Sequence, residues 1–155
     1  MELALFQPDI PQNTGTLMRL CACMNIPLNI IEPCGFILSD KNLKRAGMDY
    51  MEHLDLIKHS SWESFIAAAQ GKRLILMTTK TSNSFIDFKF ETNDILIAGR
   101  ESAGAPDYVH QQCSAEVTIP MSPETRSLNI AIASAMILSE GLRQTQGFPA
   151  NLPVL

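Results

Sequence analysis

Charge is scarce in this chain of 155 residues: Asp, Glu, Lys and Arg together make up 18%, and the balance is acidic, with a formal net charge of −4. Phosphate binding normally shows as a surplus of Lys and Arg. Any nucleic-acid function must therefore rest on local stretches, of which Asp40-Lys41-Asn42-Leu43-Lys44-Arg45 is the densest, with Lys58-His59 and Lys72-Arg73 behind it. Each of these, alone, is more often a solvated face. Long apolar runs are missing as well. Stretches such as Ile95 to Ala98 or Ile130 to Ala133 fall far short of the roughly 20 residues of a membrane span, so a soluble protein with no membrane partner is expected. Met1-Glu2-Leu3-Ala4 has neither the basic start nor the apolar centre of an export signal, and a cytoplasmic location is the expectation. Cys21, Cys23, Cys34 and Cys113 form no Cys-x-x-Cys pair and have no histidine at ligand spacing. No metal is expected, and the four read as buried reduced thiols. Two familiar nucleotide fingerprints are also absent. Gly99 to Gly104 has the glycine spacing of a P-loop without the Lys-Ser/Thr that should follow, and no Gly-x-Gly-x-x-Gly occurs.

What is present is enough apolar material, 46% of residues, for one domain with a core spanning 1–155. Short apolar runs alternate with longer amphipathic ones, the pattern of an α/β domain with a mainly parallel sheet flanked by helices. Strands are predicted near Leu3 to Phe6, Leu28 to Ile31, Asp55 to Ile57, Leu74 to Thr78, Ile95 to Ala98 and Glu116 to Ile119. Helices are predicted near Thr14 to Met24, Asp40 to Ala46, Trp62 to Ala69, Pro106 to Gln112 and Leu128 to Arg143. Thr81 to Thr92 reads as an irregular connection and Gly147 to Leu155 as a tail. The last helix is apolar nearly all round, with Leu128, Ala131, Ile132, Ala135 and Met136 on one stripe and Ile130, Ala133 and Ile137 on another. It needs cover on most sides, from a second subunit or from the chain itself.

Three loops stand out. Pro11-Gln12-Asn13-Thr14-Gly15-Thr16-Leu17-Met18-Arg19 follows the first strand and opens the first helix. Asn13 suits its N-cap, Leu17, Leu20, Cys21 and Met24 form its buried stripe, and Arg19 leans back over Gly15, at the second helical position. Helix start and guanidinium both favour an anion; taken alone, the segment is equally a capped surface helix with a solvated arginine. The second loop, Gly99-Arg100-Glu101-Ser102-Ala103-Gly104-Ala105-Pro106, continues a buried strand, where glycines let a ligand approach the backbone. In the third, Ile119-Pro120-Met121-Ser122-Pro123-Glu124-Thr125-Arg126-Ser127-Leu128-Asn129, polar groups gather at the start of the apolar last helix.

Together and in this order the loops resemble the signature motifs of the SPOUT methyltransferases. Pro-x-Asn-x-Gly-x-x-x-Arg matches the first, Gly-x-Glu-x-x-Gly the second, and Ile-Pro-Met followed by Arg-Ser-Leu-Asn the third. Ile30-Ile31-Glu32-Pro33 and Arg45-Ala46-Gly47-Met48-Asp49-Tyr50 are similar to the subgroup of minimal bacterial tRNA (cytidine or uridine 34) 2′-O-methyltransferases, so the resemblance spans nearly the whole chain. Two departures occur: relatives continue Asn-Leu-Ser-Asn where this chain has Asn129-Ile130-Ala131-Ile132, and often carry tyrosine where it has Ser139.

The resemblance implies a C-terminal trefoil knot, which ordinary chain topology excludes, and a homodimer formed through the first and last helices. It implies S-adenosyl-L-methionine as cofactor, S-adenosyl-L-homocysteine as product and tRNA as substrate. Cofactor contacts fall by motif on Met77, Thr78, Gly99, Glu101, Gly104, Ile119, Met121, Ser127 and Leu128. Arg19 is expected to stabilise charge developing on the ribose 2′-oxygen or to hold the adjacent phosphate, with Asn13, Arg126 and Asn129 in support and Lys41, Lys44 and Arg45 on the tRNA backbone. Ribose methylation of another tRNA position or of ribosomal RNA, or RNA binding without catalysis, are the alternatives.

Overall fold

A computed structural model describes residues 1–38 and 51–150. Lys41, Lys44 and Arg45, and the helix predicted over 40–46, lie outside the described residues. Among the described residues six strands form a single sheet: β1 (Glu2–Phe6), β2 (Leu28–Ile31), β3 (Leu56–His59), β4 (Leu74–Met77), β5 (Ile95–Ala98) and β6 (Ala115–Val117). Their order is β3-β2-β1-β5-β4-β6, and every pairing is parallel. Among the described residues four helices flank it: α1 (Pro11–Met24), α2 (Trp62–Ala68), α3 (Asp107–Gln112) and α4 (Ile130–Thr145), with a short 3₁₀ turn at Met51–His53. This is the predicted α/β architecture, and its strands lie within a few residues of their expected positions.

The reason for helices on both faces can be read along β1, β2 and β5, whose apolar residues alternate between two cores. Leu3, Leu5, Ile30 and Leu96 pack under Leu17, Met18 and Cys21 of α1 and Ile137, Leu138 and Leu142 of α4. Ala4, Phe6, Ile31 and Ile97 pack on the other face under Trp62, Phe65 and Val109 of α2 and α3. From β1 the chain runs outward through β2 to β3. It then crosses to β4 and inserts β5 beside β1, which creates the point of reversed strand order where α/β sheets bind ligands.

Several local expectations need correction. Asn13 is not the N-cap of α1. The helix begins at Pro11, after an extended Ile10 that makes no side-chain cap, because proline is pre-shaped for the first helical turn and has no N–H to satisfy. Gly15 accordingly lies more than a turn inside the helix, not at its second position. The buried stripe of α1 is Thr14, Leu17, Met18 and Cys21, with Leu20 and Met24 only half-buried. At the other end, α4 starts at Ile130 because Asn129 is its N-cap, its Oδ1 accepting from the backbone N–H of Ala131 at 2.9 Å and of Ile132 at 3.4 Å.

Not all four thiols are buried: Cys23 is exposed, Cys34 and Cys113 are intermediate and Cys21 is buried, all four free. Burial pushes the Cys21 and Cys113 thiols up to about 12 and that of Cys34 to about 11, so these three stay protonated and unreactive. Within one chain α4 buries Ala131, Ser134, Ile137, Leu138, Gly141 and Leu142 against α1 and the sheet. Ile132 and Met136, on its other side, remain 54% and 41% exposed. Among the described residues no helix is long and apolar enough to cross a membrane.

Candidate active site

The carboxyl ends of β4, β5 and β6 open into a cleft of about 600 Å³. From β4 and its exit come Met77 and Thr78; from the loop after β5, Gly99, Glu101 and Gly104; from the segment between β6 and α4, Ile119, Met121, Ser127 and Leu128. Every position expected to contact a cofactor thus lies on one wall or another of a single space. Asn13, Arg126 and Asn129 also line it, whereas Arg19 does not; Arg19 is exposed on α1.

The loop after β5 is closed on itself by Arg100 N–H donating to Gly104 O at 3.2 Å and Gly104 N–H donating to Arg100 O at 2.8 Å. At Gly99 a Cβ would sit 2.7 Å from Ala105 N and 2.8 Å from Gly104 C, a backbone clash that no side-chain movement relieves. Gly104 has φ +67, and a Cβ there would meet open space. The first glycine is required by packing, the second by conformation.

A chain of side-chain hydrogen bonds joins the three motif loops. Asn129 Nδ2 donates to Asn13 Oδ1 at 2.9 Å, and Asn13 Nδ2 donates to Glu101 Oε1 at 3.4 Å. Glu101 Oε2 accepts from the Asp9 backbone N–H at 3.1 Å, while Asp9 Oδ1 accepts from the Glu101 N–H at 3.2 Å. The Ser102 hydroxyl and N–H close the array on Asp9 Oδ2. Freed from capping α1, the Asn13 amide becomes the link between the second and third motifs. The adjacent Glu101 carboxyl, followed by the Ser102 hydroxyl and nearby backbone N–H groups, holds Asp9 down at about 2. Glu101 moves the opposite way, raised first by its own burial and then by the neighbouring Asp9 carboxylate. Where the pair holds a proton, it resides on Glu101.

Among the lining residues that sequence reasoning did not assign to the site, three matter for its chemistry. Lys80 and Arg100 bring positive charge to the cleft along with Arg126, and Arg100 also bonds the Gln7 side chain and lies 5.4 Å from the Phe6 ring centroid. Lys80 follows the strand end already picked out, and Arg100 sits inside the glycine loop, so their position held a signal. Ser134 had none: it is a single hydroxyl in an apolar helix, yet it lines the cleft fully buried, and its Oγ has no hydrogen-bond partner. The cleft thus has an apolar inner wall of Ala98, Val117 and Ile137 and a polar, cation-bearing mouth. That division suits an organic ligand with a flat apolar part and a charged end. Among the described residues no group of His, Cys, Asp and Glu could hold a metal ion.

An α/β fold whose ligand cleft is built by these three motif loops defines a class of RNA methylases, and comparison with known proteins agrees. Residues 1–139 match the model of the SpoU rRNA Methylase family, and the chain belongs to that family. It is 53% identical over 144 residues, 92% of this chain and 90% of the relative, to a tRNA (cytidine(34)-2'-O)-methyltransferase of Beijerinckia indica subsp. indica. To the protein of the same name from Escherichia coli K12 it is 37% identical over 151 residues, 96% of each chain. A solved structure described as giving structural insights into the 2-OH methylation of C/U34 on tRNA superposes with a TM-score of 0.87 at 39% identity, covering 94% of this chain and 96% of that one. The SpoU methyltransferase AviRb from Streptomyces viridochromogenes, in complex with the cofactor AdoMet, shares the fold at a TM-score of 0.78 and 24% identity over 93% of this chain and 60% of its own.

Proposed function

We propose that this protein transfers a methyl group from S-adenosyl-L-methionine to the ribose 2′-hydroxyl of the wobble nucleotide, cytidine or uridine 34, of a tRNA. The observation that carries the reading is the convergence of three separated motif loops on one cleft, tied together through Asn129, Asn13 and Glu101. Relatives sharing that name match almost end to end, which favours position 34 over the ribosomal RNA in the family's description.

The residues present fit the cofactor. Gly99 keeps the loop close enough to form a backbone cradle, the inner wall is apolar, and the buried Ser134 hydroxyl lacks a partner. When bound, S-adenosyl-L-methionine supplies a methyl carbon already activated for displacement. The chain's part is to position and to balance charge. Glu101, through Asn13, holds the second motif against the first, and Asn129 extends the hold to the start of α4. Arg126 and Asn129, at the cleft, orient the ribose and its phosphate. Arg19 stabilises negative charge developing on the 2′-oxygen as an electrostatic partner, while the hydroxyl proton passes to a phosphate oxygen or to water.

Arg19 does not line its own chain's cleft, which supports a homodimer in which it reaches the partner's site. The exposed apolar Ile132 and Met136 of α4 support the same arrangement. In this reading the chain is a single domain in the cytoplasm, and its C-terminal part is a trefoil knot. Support for the knot comes from the connection between β4 and β5, which holds the segment leaving β6: Thr118 N–H donates to Asn83 O at 2.8 Å and Phe85 N–H donates to Thr118 O at 2.9 Å. Mapping 2′-O-methylation in total tRNA from strains with and without the protein tests the function. Loss of the methyl group at position 34 is expected; an unchanged position 34 with loss elsewhere overturns the assignment.

A further inference from the structure

We propose that the Ser134 hydroxyl hydrogen-bonds the adenine base of the bound methyl donor, making the inner end of the cleft an adenine site and Ser134 a cofactor contact. The inference rests on the reading of the cleft given above. Ser134 stands in the second turn of α4, 0% exposed, with no partner for its Oγ. A helical serine commonly bonds the carbonyl four residues back, here that of Ile130, but Ser134 does not. A buried hydroxyl left unpaired destabilises the fold that contains it, so one on the lining of a cleft is placed where a ligand that seats against that wall can complete it.

The surroundings select the ligand part. Ser134 shares the buried part of the lining with Ala98, Val117 and Ile137, exposed by 1%, 0% and 2%. Lys80, Arg126, Ser127 and Asn129 are all exposed and stand at the mouth. A zwitterionic amino-acid tail driven into the apolar end would lose its hydration without compensation, so the tail belongs at the mouth. A flat heteroaromatic base fits the inner end, where ring nitrogens can accept from Ser134 Oγ or its amino group can donate to it.

The test is isothermal titration of S-adenosyl-L-homocysteine and of adenosine into the wild-type protein, Ser134→Ala and Ser134→Cys, with thermal midpoints of the free proteins measured alongside. Ser134→Ala is expected to bind both probes about 5- to 10-fold more weakly, as for one lost buried hydrogen bond. The thiol variant, a weaker donor of similar size, should lie between. The midpoint of free Ser134→Ala should be unchanged or raised, because an unpaired polar group has been removed. In turnover, KM for the methyl donor rises while kcat and KM for tRNA hold. Wild-type protein that fails to bind S-adenosyl-L-homocysteine overturns the cofactor reading itself. With binding intact in the wild type, equal affinity in Ser134→Ala overturns the Ser134 contact, and a lowered midpoint with affinity intact shows a structural hydroxyl instead. Weakened S-adenosyl-L-homocysteine with adenosine unaffected assigns the hydroxyl to the amino-acid tail and overturns the adenine site.

Discussion

Replacing Asn13 by aspartate changes one atom group at the junction of the three motifs and turns one hydrogen bond into a contact between two acceptors. In the native chain Asn13 Nδ2 donates to Glu101 Oε1 across 3.4 Å, a long bond at the weak end of the usual range of about 0.5–1.5 kcal/mol. Asn13→Ala loses that bond and the one to Asn129, and should cost about 1–2 kcal/mol of stability. Asn13→Asp keeps an acceptor for Asn129 but sets a second carboxylate against Glu101. At the native 3.4 Å separation this repulsion amounts to about 1 kcal/mol in bulk water and about 5 kcal/mol at an effective dielectric of 20. Both residues are half-buried, water reaches them and the new carboxylate can rotate away. The low end therefore applies, and because Asn13→Asp keeps the Asn129 bond that Asn13→Ala loses, near neutral pH it should be less stable than Asn13→Ala by up to about 1 kcal/mol.

The pH dependence separates this account from a simple packing defect. Glu101 already has its folded-state pKa raised, and the carboxylate introduced by Asn13→Asp raises it further. A carboxyl of that kind contributes stability that is complete below its unfolded pKa and is lost as pH rises through the folded one. The gap between the aspartate and alanine variants should therefore be widest at about pH 8 and shrink towards about pH 5. Asp9 adds no slope in that window: held at about 2, its contribution is complete above the ordinary carboxylate range and disappears only as pH falls through that value. Urea unfolding followed by circular dichroism, at one protomer concentration throughout, measures the gap. Equal stability of the two variants at the alkaline end, or a gap that does not close on acidification, would refute the electrostatic argument.

Arg19→Ala should lower single-turnover methyl transfer roughly 100-fold or more with affinity for S-adenosyl-L-homocysteine nearly intact, since its proposed partner is the ribose oxygen and not the cofactor; near-native turnover removes it from the mechanism. Ile132→Asp, on the exposed apolar side of α4, should yield monomers with little activity by sedimentation and methyl-transfer assay, and a fully active wild-type monomer would end the dimer proposal. Gly104→Ala, strained only by its φ of +67, should lose about 1–2 kcal/mol of stability. Gly99→Ala forces the loop backbone apart at the 2.7 Å approach to Ala105 N and should abolish cofactor binding by titration; if the two variants bind equally well, the packing argument fails.

Much of the fold was legible because its signals are local. Apolar runs such as Ile95–Ala98 and Leu74–Met77 need burial on both faces wherever they occur, and the alternation with helices follows from how parallel strands must be connected. The motif loops were legible for a related reason: glycines, an arginine and polar groups at strand ends and helix starts are unusual in sequence as well as in space. The first turn of α1 departs from its expected form because Asn13 has two uses. Propensity favours it as a cap, but Pro11 supplies the helix start, and the amide is claimed by Glu101 and Asn129, 88 and 116 residues away.

Sequence by itself determined the strands and the described helices, since each depends on neighbours within a few positions along the chain, while the cleft residues it offered came from the likeness of three loops to a known family's motifs. Only the tertiary structure decided that Lys80, Arg100 and Ser134 share that cleft, that Glu101 and Asp9 bind each other's backbone N–H groups, and that Ile132 and Met136 stay uncovered within one chain. Desolvation, pairing and exposure are properties of which distant segments meet, and no periodicity along one chain encodes them.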